Sequence, residues 1–330
     1  MERGDDTLSL SNASAFAFLF PGQGSQSVGM LGELLAAETV VADTFAEASE
    51  ALAYDMRQLV TDNPDGKLDQ TEYTQPALLT ASTALLRLWR KRGGPEAAHA
   101  AGHSLGEYSA LVAAGSLGFA DAVRLVAFRG RAMSQAVPAG VGLMAAILGL
   151  DDEKIEELCA EAGDAGTKVW PANYNCSGQL VVAGHVAAVE RLIGLAKSAG
   201  AKRAMALQVS APSHTPLMQS AADQLKQRLA DIDISQPAIP VWSNALAIPL
   251  NDVDTIREAL VSQLVSPVRW SETVRSLHAL GMDQAVEMGP GKVLAGIVRR
   301  VERDMGVHAT DSSDAMDKTI AQMLAPEVAE

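Results

Sequence analysis

The sequence predicts an α/β fold in which a largely parallel sheet, covered by helices on both faces, is interrupted by a smaller inserted unit. Three observations carry this. Apolar strand-like runs alternate with helix-periodic segments up to about residue 137 and again from about residue 210. Between them the order changes to β-α-β-β-α-β, the ferredoxin-like motif. Finally, 330 residues that are 48% hydrophobic, with no long low-complexity tract, suffice for a large core with an insert.

In chain order, the run at 16–20 breaks at Pro21 and reads as a buried strand, and a helix is expected over 30–53. Residues 76–94 place apolar side chains at helical spacing and end on Gly93-Gly94, a stop signal. A short strand at 98–102 meets "HSLGEYSALVAAG", which reads as a turn opening a helix, and 120–137 forms another helix. Past Pro138 come a strand at 142–150, a helix at 151–163 and two strands within 168–184 around a turn at Ser177-Gly178. A helix at 186–200 and a strand at 201–210 complete the insert. Helices at 215–232, 252–266, 270–281 and 292–303 then alternate with strands at 239–245 and 283–291. The expected organisation is a disordered extension at 1–14, a large subdomain from 15–137 and 210–310, a small subdomain at 138–209, and a C-terminal tail at 311–330.

A formal net charge of -14 argues against nonspecific binding to nucleic acid or an anionic membrane. Local basic clusters remain: Arg87, Arg90, Lys91 and Arg92 on one helix, and Arg299, Arg300 and Arg303 on another, with a solvated helix face as the ordinary explanation. Two cysteines, Cys159 and Cys176, allow at most one disulfide, suit a reducing compartment and do not suit a zinc site. The first apolar run is too short for a signal-peptide core or a membrane span, so a cytoplasmic protein is expected.

"GHSLG", Gly102 to Gly106, matches the G-x-S-x-G nucleophile elbow. A sharp strand-to-helix turn leaves no room for side chains beside the serine. It exposes the hydroxyl and aims the following N–H groups at a developing oxyanion. The pattern alone also fits an ordinary tight turn. The strand before Ser104 and the helix pattern after it raise the nucleophile reading to stand level with the tight turn.

Such a serine needs a base, and there are six histidines. His99 lies inside a strand, and His103 adjoins the serine with its side chain expected on the other side of the turn. His185 and His278 belong to helices, and His308 lies near the tail. His214 differs: it sits in "SAPSHTPLM", a loop stiffened by Pro212 and Pro216 between a strand and a helix. A plain surface histidine is the alternative, and no aspartate stands out to orient it.

In the helix at 120–137, Arg124 and Arg131 fall on one line, while Arg129 falls about 140° from Arg124 and projects from the apolar stripe. A buried arginine needs an anion, either an internal carboxylate or a substrate carboxylate gripped by the guanidinium fork. Gln263 lies on the line Ile256–Leu260–Gln263, which puts an amide near the core as a helix cap or a partner for the base.

Together these pieces resemble the malonyl-CoA:acyl carrier protein transacylases of fatty-acid synthesis. The resemblance runs from "FPGQGSQ" through "GHSLGEYSALVAAG", "FRGRAM", "NYNCSGQLVVAG", "SAPSHTPLM" and "SQLVSPVRW" to "EMGPGKVL". It implies an α/β-hydrolase-like large subdomain with a ferredoxin-like small one. It implies Ser104 as nucleophile, His214 as base, Gln23 and the N–H of Leu105 at the oxyanion hole, and Arg129 on the malonyl carboxylate. The base would be oriented by a backbone carbonyl near Gln263, accounting for the missing acid. Asn173 and Asn175 match polar residues at the mouth of the cleft between subdomains. The chain departs from the family at Cys176-Ser177, where Ser-Pro is common, and in its early start. The partners implied are malonyl-CoA and acyl carrier protein, with no metal or redox cofactor and a monomeric state. The carrier is expected to dock on Lys202 and Arg203 or on Arg299 and Arg300, since acidic carriers seek positive charge.

The rival readings are a serine hydrolase and a noncatalytic carrier- or nucleotide-binding module. The nucleotide reading fails on spacing. Counting G-x-G-x-x-G from Gly22 reaches Gly24 and then Ser27, and "GPGKVL" has Val286 and Val293 where a phosphate loop needs Gly and Ser or Thr.

Overall fold

The computed structural model describes residues 15–209 and 211–325. The extension expected at 1–14 lies outside them. At the centre stands β1 (Phe16–Phe20), whose alternate side chains enter two different cores. Phe16, Phe18 and Phe20 pack on one face with Trp89, while Ala17 and Leu19 pack on the other with Trp270 and Leu294. Period-two alternation of apolar residues on both faces is what a strand buried between two helical layers requires.

The helices that follow are α1 (Gly32–Ala37), α2 (Thr39–Leu52), α3 (Met56–Thr61) and α4 (Thr71–Lys91). The single helix expected over 30–53 is broken at Glu38, which is extended and whose carboxylate pairs with Arg92 and Lys91. Next come β2 (His99–Gly102), α5 (Gly106–Ala113) and α6 (Phe119–Gln135). The segment after Pro138 forms β3 (Gly142–Leu148), α7 (Asp152–Ala162), β4 (Val169–Cys176), β5 (Gln179–His185), α8 (Val186–Ser198) and β6 (Arg203–Ala206). Its four strands form a separate antiparallel sheet in the order β4-β5-β3-β6, with α7 and α8 on one face. That is the ferredoxin-like arrangement.

The chain returns through a 3₁₀ turn (Pro216–Met218) to α9 (Gln219–Ala230), β7 (Val241–Trp242), β8 (Pro249–Leu250), α10 (Val253–Val265) and α11 (Trp270–Ala279). It closes with β9 (Gln284–Glu287), α12 (Val293–Val301), β10 (Gly306–Ala309) and α13 (Ser313–Leu324). The large sheet has the order β10-β9-β1-β2-β7-β8, parallel except for the β7–β8 pair. Phe20 of β1 pairs with Gly102 of β2, so the loops leaving both strands emerge side by side at the carboxyl edge. Ligands of open parallel sheets bind at that edge.

β10 lies within the span expected for the large subdomain and extends its sheet beside β9. Of the tail expected at 311–330, residues 313–324 form α13, which buries Met316, Ile320 and Met323 in the principal core, while 326–330 lie outside the described residues. The four-residue strand is too short to announce itself, and the apolar positions of α13 gain meaning only once they find the core. Met316 is fully buried. Met316→Ala is expected to cost about 2–5 kcal/mol in urea denaturation. An unpacked tail would leave the midpoint unchanged.

Candidate active site

Ser104 sits where β2 turns into α5, and its φ of 51° lies in the left-handed region. Such a conformation costs a non-glycine residue about 1–2 kcal/mol. The two flanking glycines are required by contact. A Cβ on Gly102 would meet the backbone of Gly106, and one on Gly106 would meet the carbonyl of Phe20. Gly22 is pressed against the carbonyl of His103 in the same way, which brings the "FPGQGSQ" loop against the serine turn. Gly22 therefore serves close approach between two backbones.

Ser104 Oγ lies 2.8 Å from Nε2 of His214. Nδ1 of His214 lies 2.8 Å from the backbone carbonyl of Gln263. A carbonyl only accepts, so Nδ1 carries the proton and Nε2 is left to accept from the serine hydroxyl. Burial, and then the nearby Arg129 charge, push the imidazole down to about 3, against the effect of the carbonyl hydrogen bond. His214 is therefore neutral at pH 7, the state a general base needs.

Arg129 is 1% exposed, with its Nη1 2.7 Å from Gln75 Oε1 and its Nη2 2.8 Å from Gln263 Oε1. Nη2 is also 3.4 Å from Ser104 Oγ, and the Tyr108 ring lies 5.3 Å from the guanidinium carbon. The internal salt bridge is not what forms. Among the described residues no carboxylate pairs with Arg129, and its Nε has no partner. Two amide oxygens hold the fork beside the serine and leave its charge formally unneutralised.

Gln23 anchors its side chain on Thr71, with Nε2 3.3 Å from Oγ1. Among the described residues the backbone N–H groups of Gln23 and Leu105 have no acceptor. Both residues line a cleft of about 300 Å³ with Ser104, His214 and Arg129. Two backbone N–H groups beside a nucleophile are the makings of an oxyanion hole.

The far wall belongs to the small subdomain. β4 contributes Asn173 and Asn175, both 6% exposed, and is tied to the large subdomain through backbone bonds of Ala172 and Tyr174 with Val268. Met144, Val181, Leu207 and Val209 make that wall mostly apolar. His103 is corrected: its ring does not leave the site but lines the same cleft, because β4 brings Asn175 Oδ1 within 2.8 Å of its Nε2. Among the other histidines, His99 bonds Trp242, His185 bonds Lys168, His278 faces Asp283 and His308 bonds Gln284. Both cysteines are buried and free. Among the described residues no group of three or more His, Cys, Asp or Glu is placed to hold a metal ion.

Four residues here escape sequence reasoning. Gln75 and Thr71 lie on α4, where they read as ordinary helix residues. Asn244 follows the two-residue β7, and its Oδ1 accepts the Ser104 N–H at 2.6 Å. Glu107 is fully buried, and burial pushes its carboxyl up to about 7. An acid in the first turn of a helix reads as favourable surface charge, which hides it. Its position directly after the second elbow glycine was the available signal.

A family model described as the acyl transferase domain matches residues 17–329. The malonyl CoA-acyl carrier protein transacylase of Escherichia coli (strain K12) is 52% identical over 301 residues, 91% of this chain and 97% of that protein. The solved structure of the malonyl CoA-acyl carrier protein transacylase from Coxiella burnetii superposes with a TM-score of 0.94 at 46% identity, covering 96% of this chain and all of that one. A malonyl-transacylase solved in complex with its type II PKS acyl-carrier protein gives 0.91 at 47% identity, over 93% and 99% of the two chains.

Because His214 holds its proton only near pH 3, labelling of Ser104 by a fluorophosphonate should keep nearly the same rate from pH 8 to pH 5. A rate that halves near pH 6.5 would reveal an ordinary histidine. The same depression makes neutral His214 favour the fold above about pH 6.5, a contribution lost as pH falls from there toward 3.

Proposed function

The chain belongs to the acyl transferase domain family, among its malonyl CoA-acyl carrier protein transacylases, and on that premise we propose that it carries malonyl groups from coenzyme A to an acyl carrier protein. It is an acyltransferase. The observation that carries the substrate assignment is the Arg129 fork, 3.4 Å from Ser104 Oγ and held by amide oxygens alone. In a malonyl ester the free carboxylate is two bonds from the reacting carbonyl carbon. A guanidinium that close to the nucleophile can grip it with two hydrogen bonds while the ester forms.

In the first half-reaction His214 Nε2 takes the hydroxyl proton as Ser104 Oγ attacks the thioester carbonyl. The N–H groups of Gln23 and Leu105 receive the oxyanion, each donor being worth about 10²–10³ in rate. The C–S bond breaks, coenzyme A leaves with the proton from His214, and a malonyl ester remains on Ser104. The phosphopantetheine thiol of the carrier then gives its proton to His214 and attacks the ester. Ser104 departs and recovers the proton, so each step exchanges one acyl bond for another. This chemistry needs no metal or redox cofactor. Gln263 acts on the base through its backbone carbonyl, and Asn173 and Asn175 border the path of the arriving thiol.

The carrier docks beside the cleft. Arg87, Arg90, Lys91 and Arg92 are engaged by Glu47, Glu96, Glu38 and Asp317, which leaves little free charge in that cluster. Lys202, Arg203, Arg299 and Arg300 are exposed, and among the described residues none pairs with a carboxylate. α12 lines the cleft through Val293, Leu294 and Ile297, and its Arg300 bonds the lining residue Gln179, which favours Arg299 and Arg300 as the docking pair. We further infer a cytoplasmic monomer that binds neither nucleic acid nor membrane. No helix among the described residues is long and apolar enough to cross a bilayer.

Intact-protein mass after brief mixing with malonyl-CoA should show a malonyl adduct that is absent in Ser104→Ala and discharged by carrier protein. Slow loss to water without any carrier dependence would favour a hydrolase. Arg129→Ala should lower the ratio of malonyl to acetyl transfer by about 100-fold or more, since it removes the group that an acetyl chain leaves unpaired. An unchanged ratio would overturn the assignment of Arg129.

A further inference from the structure

Behind the reacting groups lies a carboxylate to which the mechanism above gives no part. Glu107 sits in the first turn of α5, fully buried, three residues beyond the nucleophile. One oxygen, Oε2, accepts from the backbone N–H of Asn244 at 3.0 Å and from Nε2 of Gln263 at 2.7 Å. The other, Oε1, has no partner among the described residues.

Both donors reach the site. Asn244 spans the serine turn, its Oδ1 2.6 Å from the Ser104 N–H and its Nδ2 2.6 Å from the Gly102 carbonyl. Gln263 gives a second bond from Nε2 to the Ser104 carbonyl at 2.9 Å and receives Arg129 on Oε1 at 2.8 Å. Glu107 Oε2 and the Ser104 carbonyl both accept from Nε2 of Gln263, and together they set the sense of that amide, turning Oε1 toward the guanidinium. With the amide reversed, an NH₂ group would oppose Arg129 and the fork would lose one of its two anchors.

We propose that Glu107 is a positioning residue for acyl transfer: through the Gln263 amide it directs the Arg129 fork, and through Asn244 it holds the Ser104 turn in its left-handed conformation. The inference rests on malonyl transfer as the reaction. Glu107 touches no reacting atom and moves no proton in this scheme. Its contribution is to keep the nucleophile and the carboxylate grip in mutual register, where a small misplacement is costly in rate.

The test is the single-turnover burst of coenzyme A release on mixing with malonyl-CoA, read separately as an amplitude and a rate constant. Glu107→Gln keeps the volume and removes the charge and the strict acceptor. The rate constant at saturating malonyl-CoA is expected to fall tenfold or more, with the amplitude per folded protein unchanged and half-saturation no higher, since Arg129 keeps its charge. A residue serving stability alone would lower the yield of folded protein and leave the rate constant intact, and that result overturns the proposal. Gln263→Met removes the relaying amide while keeping the backbone carbonyl that holds His214. Glu107→Gln should then add less than about threefold on that background, because the two act in one chain. Fully multiplying effects would overturn the relay. Should Glu107→Gln not fold, Gln263→Met alone decides, and a wild-type rate constant in it refutes the relay. Absence of any burst in the wild-type protein would refute malonyl transfer itself, an outcome separate from all of these.

Discussion

The left-handed turn at Ser104 is the constraint around which the rest of the structure is arranged. A non-glycine residue holds φ of 51° only where its surroundings over-determine it. Here they do so from every side. Gly106 lies against the Phe20 carbonyl, Gly22 against the His103 carbonyl, and Asn244 bridges the turn between Gly102 and Ser104. Those contacts need β1, β2 and β7 adjacent and in register, with Phe20 opposite Gly102 and Ala101 opposite Trp242. The parallel order of the large sheet is thus what lets one strained residue be held by three separate chain segments. Because the turn ends at the N-terminus of α5, the N–H of Leu105 emerges beside the hydroxyl with no helical partner of its own.

A second constraint is electrostatic. Placing a guanidinium in a dry cleft costs several kcal/mol of lost hydration unless its charge is answered. Gln75 and Gln263 answer it only in part, with neutral oxygens that orient the fork without cancelling its charge. The same uncancelled charge, added to burial, keeps His214 unprotonated. One residue therefore places a positive charge beside Ser104 and keeps the neighbouring imidazole neutral. An internal carboxylate salt bridge would have removed both effects, which is why the partners of Arg129 are amides and the buried acid Glu107 stands one side chain further back.

Much of this was legible in the sequence because it depends on local rules. The strand at 16–20, the elbow glycines, the rigid loop around His214 and the apolar phase of Arg129 and Gln263 all follow from short-range geometry. The β-α-β-β-α-β order of the insert was equally plain. What escaped was set by contacts between distant segments. Glu107 becomes buried only when α10 and the residues after β7 close over α5, and its place directly after the second elbow glycine is all that separates it locally from a solvated first-turn acid. Asn244 follows a strand of two residues, too short to carry a period. His103 reads as leaving the site until a strand from the other subdomain supplies Asn175. α13 reads as a tail until Met316 finds the core.

The small subdomain contributes no group to the reacting set, yet the cleft depends on it. Its β4 is stitched to residue 268 of the large subdomain by backbone bonds on both sides of Asn173, which makes this wall continuous with the segment leading from α10 to α11. Arg300 of α12 reaches Gln179 at the start of β5 with an Nη1–Oε1 distance of 2.5 Å, closing the opposite rim. That wall is anchored at both edges and sets apolar Met144, Val181 and Leu207 beside the amides of Asn173, Asn175 and Gln179. The wall that faces Ser104 is thus built at the junction between the two folding units, and the insert supplies its apolar side chains.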